Sequence, residues 1–396
     1  MPHLSKPQAT GLALWSYGIA LTRSCGRTTV ATFLALLLTC RVGSMDHRLR
    51  EWCYEVEAKA GSKRGGKRQA LDITTCFVPL LRWILRLWQG TALALAIDAT
   101  SLGDRFTVLT VSVVYRGMGI PVCWTILPAN QKHAWRREWL RMLRLLHPAI
   151  PADWTVLVLA DRGLYAPWLF RRIVRLGWHP FLRINQGAKF RPLGQAKWYW
   201  LRELCGSVGQ RWRGAGTAFV TKESQLGCTL VAWWGEGHKE PWFMLTDVEP
   251  EGCDAAWYGL RTWCEQGFKV YKRGGWQWQQ TRMRDPERAA RLWLALAVAT
   301  LWLVSVGSGL EAGAALEDGA LPDLQAMVGI VATRPRRTRL VRLGWLWVLV
   351  QQITVQPLPL PQRLVPEPWP EVPPRLEVVL PQQQALSYVP AQKTGP

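Results

Sequence analysis

Acidic residues are scarce in this chain. Against 49 Lys and Arg stand only 28 Asp and Glu, which leaves a net charge of +21 at pH 7. So much charge of one sign repels itself in the folded state and calls for a polyanion to offset it. Nucleic acid is the first candidate and an anionic membrane the second. Histidine is also rare, with 6 residues, and no pair of cysteines has CxxC spacing. The nine cysteines are odd in number and irregularly placed. These absences argue against a zinc site and against a disulfide framework, and they suit a reducing cytoplasm. The first ten residues lack an apolar run, so no secretory signal is expected. No internal repeat is visible. Phe and Tyr are few, 9 and 8, whereas Trp occurs 25 times. Indole rings serve packed cores and base-stacking surfaces alike.

With 396 residues, 49% of them hydrophobic, the chain can bury a sizeable core in two or three folding units. Residues 1–90 read as a helical N-terminal domain, with apolar runs at 12–21 and 28–38 around a polar break. DNA binding and a generic helical cap both fit it. A flexible basic loop, GSKRGGKR, follows at 61–68. Other basic clusters lie at 136–144 and 334–342, so the charge is spread along the chain. From residue 91 the pattern turns to β. Runs at 93–100, 106–115 and 120–127 are joined by tight turns and predict three antiparallel strands. A basic amphipathic helix at 131–146, a short apolar strand at 155–160, a helix at 167–176 and a strand at 179–184 follow. The order β-β-β-α-β-α-β is that of an RNase H-like mixed sheet, an α/β fold. Residues 185–247 are Gly-rich, β-like and set with tryptophans, and read as a β-strand insertion. Helices are expected over 251–270 and from 286 to 306, the second capped by Asp285 with Pro at its first position. The catalytic fold would then comprise 91–184 and 248–310. Residues 311–350 read as a helical C-terminal segment. The tail, 351–396, holds 11 of the 26 prolines and is expected to be extended or disordered.

One apolar stretch, LWLALAVATLWLVSVGSGL at 292–310, is uncharged and long enough to span a bilayer. A helix buried against a sheet gives the same pattern. The lack of a second such run favours burial and no membrane partner.

Asp98 stands in LALAIDATS, within an apolar strand, and Asp161 in VLVLADRGLY, at the carboxyl end of another. A carboxylate in such a place is costly unless something pairs with it. Strands one and four are neighbours in this fold, so the two acids would meet. Two adjacent carboxylates repel each other, and a divalent cation removes the repulsion. Oxygen ligands favour Mg²⁺ or Mn²⁺, and two such ions can clamp the attacking and leaving oxygens of a phosphoryl displacement. Glu265 is the third carboxylate of choice. Tyr258, Arg261, Glu265 and Lys272 are spaced by 3, 4 and 7, which on one helix gives a shared face. Glu287, at the start of the next helix, is the rival.

This spacing is that of the Y-(2)-R-(3)-E-(6)-K signature, and with Asp98 in IDAT and Asp161 in ADRG the chain resembles the DDE transposases of the insertion sequence 4 family. The resemblance covers roughly 93–310. It implies that Asp98, Asp161 and Glu265 hold metal and are catalytic, and that Tyr258, Arg261 and Lys272 contact DNA. It also implies that a Trp of the insertion, with Trp212, Trp233 and Trp234 as candidates, stacks a flipped base. Arg162 could pair with a carboxylate or reach a phosphate. The implied activity is metal-dependent cleavage of double-stranded DNA at terminal inverted repeats and transfer of the 3′-hydroxyl to target DNA. A homodimer and a cytoplasmic, nucleoid-associated prokaryotic location go with it. A DNA-binding protein without catalysis and a nuclease without strand transfer remain alternatives.

Overall fold

In the computed structural model of the chain, the described residues are 1–59, 69–129, 135–316 and 339–373. The basic loop at 61–68 and the start of the predicted helix at 131–134 lie outside them, as do part of the cluster at 334–342 and the second half of the tail. The chain divides into two compact units. One comprises Met1–Arg183 and Trp257–Trp369; the other is built on Ile184–Ala256 with 370–373.

The first unit opens with four helices, α1 (Lys6–Thr22), α2 (Arg27–Leu37), α3 (Val42–Cys53) and α4 (Thr74–Leu87). The polar break at 22–27 is the α1–α2 turn. Three long strands follow: β1 (Ala92–Leu102), β2 (Phe106–Tyr115) and β3 (Met118–Pro128). They form an antiparallel meander, with Asp98 opposite Thr110. Between β2 and β3 the two turn residues, Arg116 and Gly117, have φ of 40° and 90°. Both are left-handed, as a two-residue hairpin turn needs to match strand twist, and glycine takes the second position without strain.

The chain continues through α5 (Arg136–Leu146), β4 (Thr155–Ala160), α6 (Pro167–Arg175) and β5 (His179–Arg183). β4 lies parallel to β1, and β5 parallel to β4. The order β3-β2-β1-β4-β5 is the RNase H-like mixed sheet expected from the sequence. β4 is buried from its second residue onward because helices cover both faces. Successive side chains of β3 show the two sides. Trp124 meets Phe77 of α4, while Thr125 accepts a hydrogen bond from Arg141 of α5.

The remaining helices of this unit are α8 (Thr262–Tyr271), α9 (Pro286–Leu316) and α10 (Arg339–Ile353); a short α7 belongs to the second unit. Asp285 caps α9 by accepting from the Arg288 N–H at 3.0 Å. The apolar stretch at 292–310 lies within α9. Its most apolar window is 89% buried inside the protein, with Trp293 against Trp124 and Trp278. Burial in protein, not bilayer, accounts for its composition. α1, α3 and α4 pack on α9, so the N-terminal helices share one core with the sheet. Arg291 donates to the carbonyls of Leu71 and Cys53, and Glu55 binds both Arg288 and Arg291.

The helix expected over 251–270 is broken. A 3₁₀ segment, Ala255–Arg261, precedes α8, and Lys272 lies just past its end. Tyr258 and Arg261 therefore sit on the tighter spiral, not on one continuous α-helical face with Glu265 and Lys272.

The second unit contains β6 (Lys189–Pro192), β7 (Tyr199–Trp200), α7 (Leu201–Leu204), β8 (Arg211–Ala218), β9 (Leu226–Trp233) and β10 (Trp242–Thr246). Its strands are ordered β10-β9-β8-β6-β7, and all four pairings are antiparallel. This is the β-strand insertion.

Candidate active site

The β1–β4 register sets the two aspartates side by side. Ile97 pairs with Ala160, so Asp98 and Asp161 are the next residues on parallel neighbours. Asp98 Oδ1 accepts from the Ala99 N–H at 2.8 Å. Asp161 follows β4 directly and caps a 3₁₀ turn, with Oδ1 accepting from the Arg162 N–H at 2.7 Å and from the Tyr258 hydroxyl at 3.0 Å.

Arg261 lies between the acids. Its Nη2 is 2.9 Å from Asp98 Oδ2 and 3.6 Å from Asp161 Oδ2, and its Nη1 is 2.6 Å from Glu265 Oε1. The guanidinium is almost wholly buried, with 8% of the side chain exposed, whereas Glu265 is 53% exposed. The buried Nε has no hydrogen-bond partner. A fork of donors facing several carboxylates is geometry that arginine suits better than lysine.

The two aspartates differ in proton affinity. Burial pushes the Asp98 carboxyl up, and Arg261 only partly offsets this. Burial also acts against the Asp161 charge, but the Arg162 N–H, Arg261 and Tyr258 outweigh it and hold that carboxyl down. Burial raises the Tyr258 phenol, and neighbouring Asp161 adds to this, so it stays a donor. The Arg183 guanidinium stands 5.5 Å from the centre of the same ring. Arg183 ends β5, next to the strand that carries Asp161. Arg183 belongs to no motif, and its place at the end of a buried strand is the one signal the sequence offers for it.

Glu265 reaches this place because α8 lies directly on β3. A Cβ on Gly267 would stand 2.4 Å from the Gly119 carbonyl oxygen. Only glycine permits the contact, which fixes the depth of the helix two residues after Glu265.

Lys272 donates to Thr100 Oγ1 and to the Ser101 carbonyl, both at 2.8 Å, so it clamps the far end of β1. Burial lowers its ammonium below the ordinary range. Two hollows flank α8. A cavity of about 460 Å³ is lined by Arg116, Trp263, Glu265, Lys269 and Arg339. Another of about 660 Å³ is lined by Lys269, Lys272, Arg273 and Gln279. Exposed Lys269 belongs to both.

Among the described residues, no three of His, Cys, Asp and Glu are grouped closely enough to hold a metal ion. The three acids expected to hold metal each face Arg261. The acids are spread around a guanidinium, which serves as the cation they share. Asp98 and Asp161 fit a hard divalent ion in donor chemistry, but Glu265 is drawn aside by Nη1. Glu287 lies exposed in the first turn of α9, and Arg261 pairs with Glu265 instead.

The tryptophans named in the insertion are separated by burial. Trp212 is 3% exposed and packs edge-on against Phe190, so its ring is closed to a DNA base. Trp233 lies under Arg211 and meets His238 and Trp242 edge-on. Trp234 donates to the His238 carbonyl at 3.0 Å.

The family model described as the transposase DDE domain matches residues 90–302, more than half the chain. The chain belongs to this DDE transposase family. The match begins just before β1 and ends within α9, so it spans Asp98, Asp161 and Glu265. No curated protein matches this family member. Among solved structures it is similar to a piggyBac transposase in a synaptic complex with hairpin DNA. The identity is 8% and the TM-score 0.35, over 89% of this chain and 73% of that one. So loose a likeness adds nothing to the fold already read from the strand order.

Proposed function

We propose that this chain is a transposase of the insertion sequence 4 type. In this reading it hydrolyses DNA strands at element ends and transfers the freed 3′-hydroxyl to target DNA. The observation that carries the reading is the meeting of Asp98, within β1, and Asp161, just past β4, where the parallel pairing of the two strands stops, with Glu265 tied to them through Arg261. Tyr258, Arg261, Glu265 and Lys272 keep the signature spacing.

Asp98 and Asp161 would hold Mg²⁺ or Mn²⁺, joined by Glu265 once Arg261 releases it. Bound there, the ion would offset charge on the phosphate and favour ionisation of the attacking water. Asp161, held ionised by its neighbours, suits ligation. The Tyr258 hydroxyl orients Asp161. Arg261, once released, carries a fork able to bind a phosphate through two parallel bonds. Lys272, Lys269 and Arg273 line the hollow beyond Glu265 and give a strand backbone a positive bed. Arg162 follows Asp161 directly and is assigned to phosphate or carboxylate pairing. Trp233 and Trp234 remain the insertion's assigned DNA contacts. The partners in this reading are terminal inverted repeats and target DNA, met by a homodimer, because two ends must be brought together.

The test is cleavage of a supercoiled plasmid carrying the element ends with Mg²⁺. Asp98→Ala, Asp161→Ala and Glu265→Gln are each expected to abolish cleavage while DNA retention in a mobility-shift assay persists. Full cleavage by any one of them would remove that residue from the centre. A second assay supplies pre-cleaved ends. Joining to target DNA separates a transposase from a nuclease.

A further inference from the structure

We propose that the solvent face of the β6–β7 hairpin binds a single-stranded stretch of DNA; this rests on the transposase reading and gives it a second contact surface. The alternation of strand side chains sorts the hairpin into two faces. Phe190 and Tyr199 are paired and buried. The opposite face carries Lys189 and Arg191 on β6, with Trp200 and, two residues earlier, Trp198. Lys189 is the register partner of Trp200, and its Nζ stands 4.2 Å from that ring's centre. Arg191 stands 5.1 Å from the centre of the Trp198 ring. The result is a two-rung ladder of cation and aromatic. Trp200 is 47% exposed, so part of its ring surface is open to solvent.

The charge of the unit is polarised. Residues 184–256 contain eight basic and eight acidic residues, yet 189–202 contain four basic and none acidic. Beside the ladder the sheet is low. Arg191 pairs with Thr217, and Thr217 with Gly227, so the row next to the rungs is floored by small residues. Basic groups interleaved with a half-buried and an exposed indole on a sheet face bordered by small residues suit one chemistry. Cations take phosphates, and rings stack on bases that have no partner strand. A duplex hides those base faces, which is why the occupant is a single strand.

The experiment uses the full chain in the presence of a chelator, so that no cleavage intervenes. The probes are a fluorescein-labelled oligodeoxythymidine and a duplex of equal length, each titrated at several salt concentrations. The double variant Lys189→Gln, Arg191→Gln is expected to weaken single-strand binding at least tenfold. It should also reduce the salt slope by about 1.4, the value for two phosphate contacts. Trp200→Ala is expected to weaken it about five- to 140-fold, and Trp200→Phe to recover most of the loss. Folded variants that hold the single strand as tightly as the parent would overturn the assignment, as would a loss confined to the duplex. A crosslinking arm needs no variant. A single strand substituted with 5-iododeoxyuridine should form ultraviolet adducts on the peptide spanning 197–202, and adducts confined to other peptides would count against the proposal. The outcome is separable from that of the catalytic reading. An uncleaved plasmid with weakened hairpin variants leaves this surface standing; cleaved plasmid with unaffected hairpin variants removes it alone.

Discussion

At the scale of the residue, Arg261 decides how the centre behaves without metal. Its guanidinium neutralises Asp98 and Glu265 from a nearly dry position. A divalent ion bound by all three acids must displace it. Arg261→Ala removes the competitor and leaves Asp98 buried without its counter-charge. Losing one partner of a buried pair costs about 3–5 kcal/mol, and the exposure of Glu265 puts this case near the low end. The variant is therefore expected to melt below the parent in chelator and to be raised more than the parent by Mn²⁺. Its affinity for Mn²⁺, read by electron paramagnetic resonance without DNA, should increase while plasmid cleavage falls. Equal or weaker Mn²⁺ binding would show that Arg261 does not compete. The meeting of Asp98 and Asp161 was legible in the sequence because an acid in an apolar strand is costly enough to stand out, whereas Glu265 is singled out by the signature spacing alone. The lodging of Arg261 was not. Spacing offers its link to Glu265, four residues on, but its approach to Asp98 depends on the whole meander being folded.

At the scale of the element, close contacts hold the site in register. Gly267→Val would drive a branched side chain into the Gly119 carbonyl and lift α8 from β3. Overpacking of this kind costs about 1–3 kcal/mol. Cleavage is expected to fall far more than the melting temperature, since Glu265 moves with the helix; an active, normally stable variant would disprove the contact. The N-terminal helices are tied to α9 by Glu55. Burial opposes its charge, but hydrogen bonds from Arg288 and Arg291 prevail, and its carboxyl is lowered from 4.5 to about 2. A carboxyl lowered in the folded state stabilises it above the unfolded value, and that contribution is lost as pH falls from about 4.5 towards 2. Urea unfolding should show Glu55→Gln less stable than the parent at pH 7 and the gap narrowing through this window. Strands β1 to β5 were legible nearly to the residue, because β-branched runs between tight turns are a local signal, whereas the insertion showed its β character without the bounds of its five strands. The break before α8 was not. A 3₁₀ segment and an α-helix present the same residue types, and the choice between them is made by contacts such as those of Tyr258 with Asp161 and Arg183. The burial of α9 was readable as one of two patterns, and only the helices packed around it exclude the bilayer.

At the scale of the whole molecule, charge surplus governs DNA binding. Many acids are consumed internally: Asp254 by Arg211, Glu311 by Arg116 and Arg339, Asp46 by Arg27. Each such pair removes one charge of each sign, so the surplus of +21 survives pairing and must be borne by the remaining basic side chains. Binding led by such a surplus draws its free energy from release of counterions condensed on the phosphates. Affinity for any duplex, element end or not, should fall steeply and linearly on a log–log plot against salt. If about 6–10 phosphates are contacted, three to five decades are lost between about 50 and 200 mM. Sequence-specific contacts carry no such dependence, so the ratio of affinities for element ends and random duplex should change much less than either affinity. Fluorescence anisotropy on both duplexes across that range measures the two quantities together. A flat salt response would mean that the surplus lies away from the DNA, and the site would then need a different account of how it holds a polyanion.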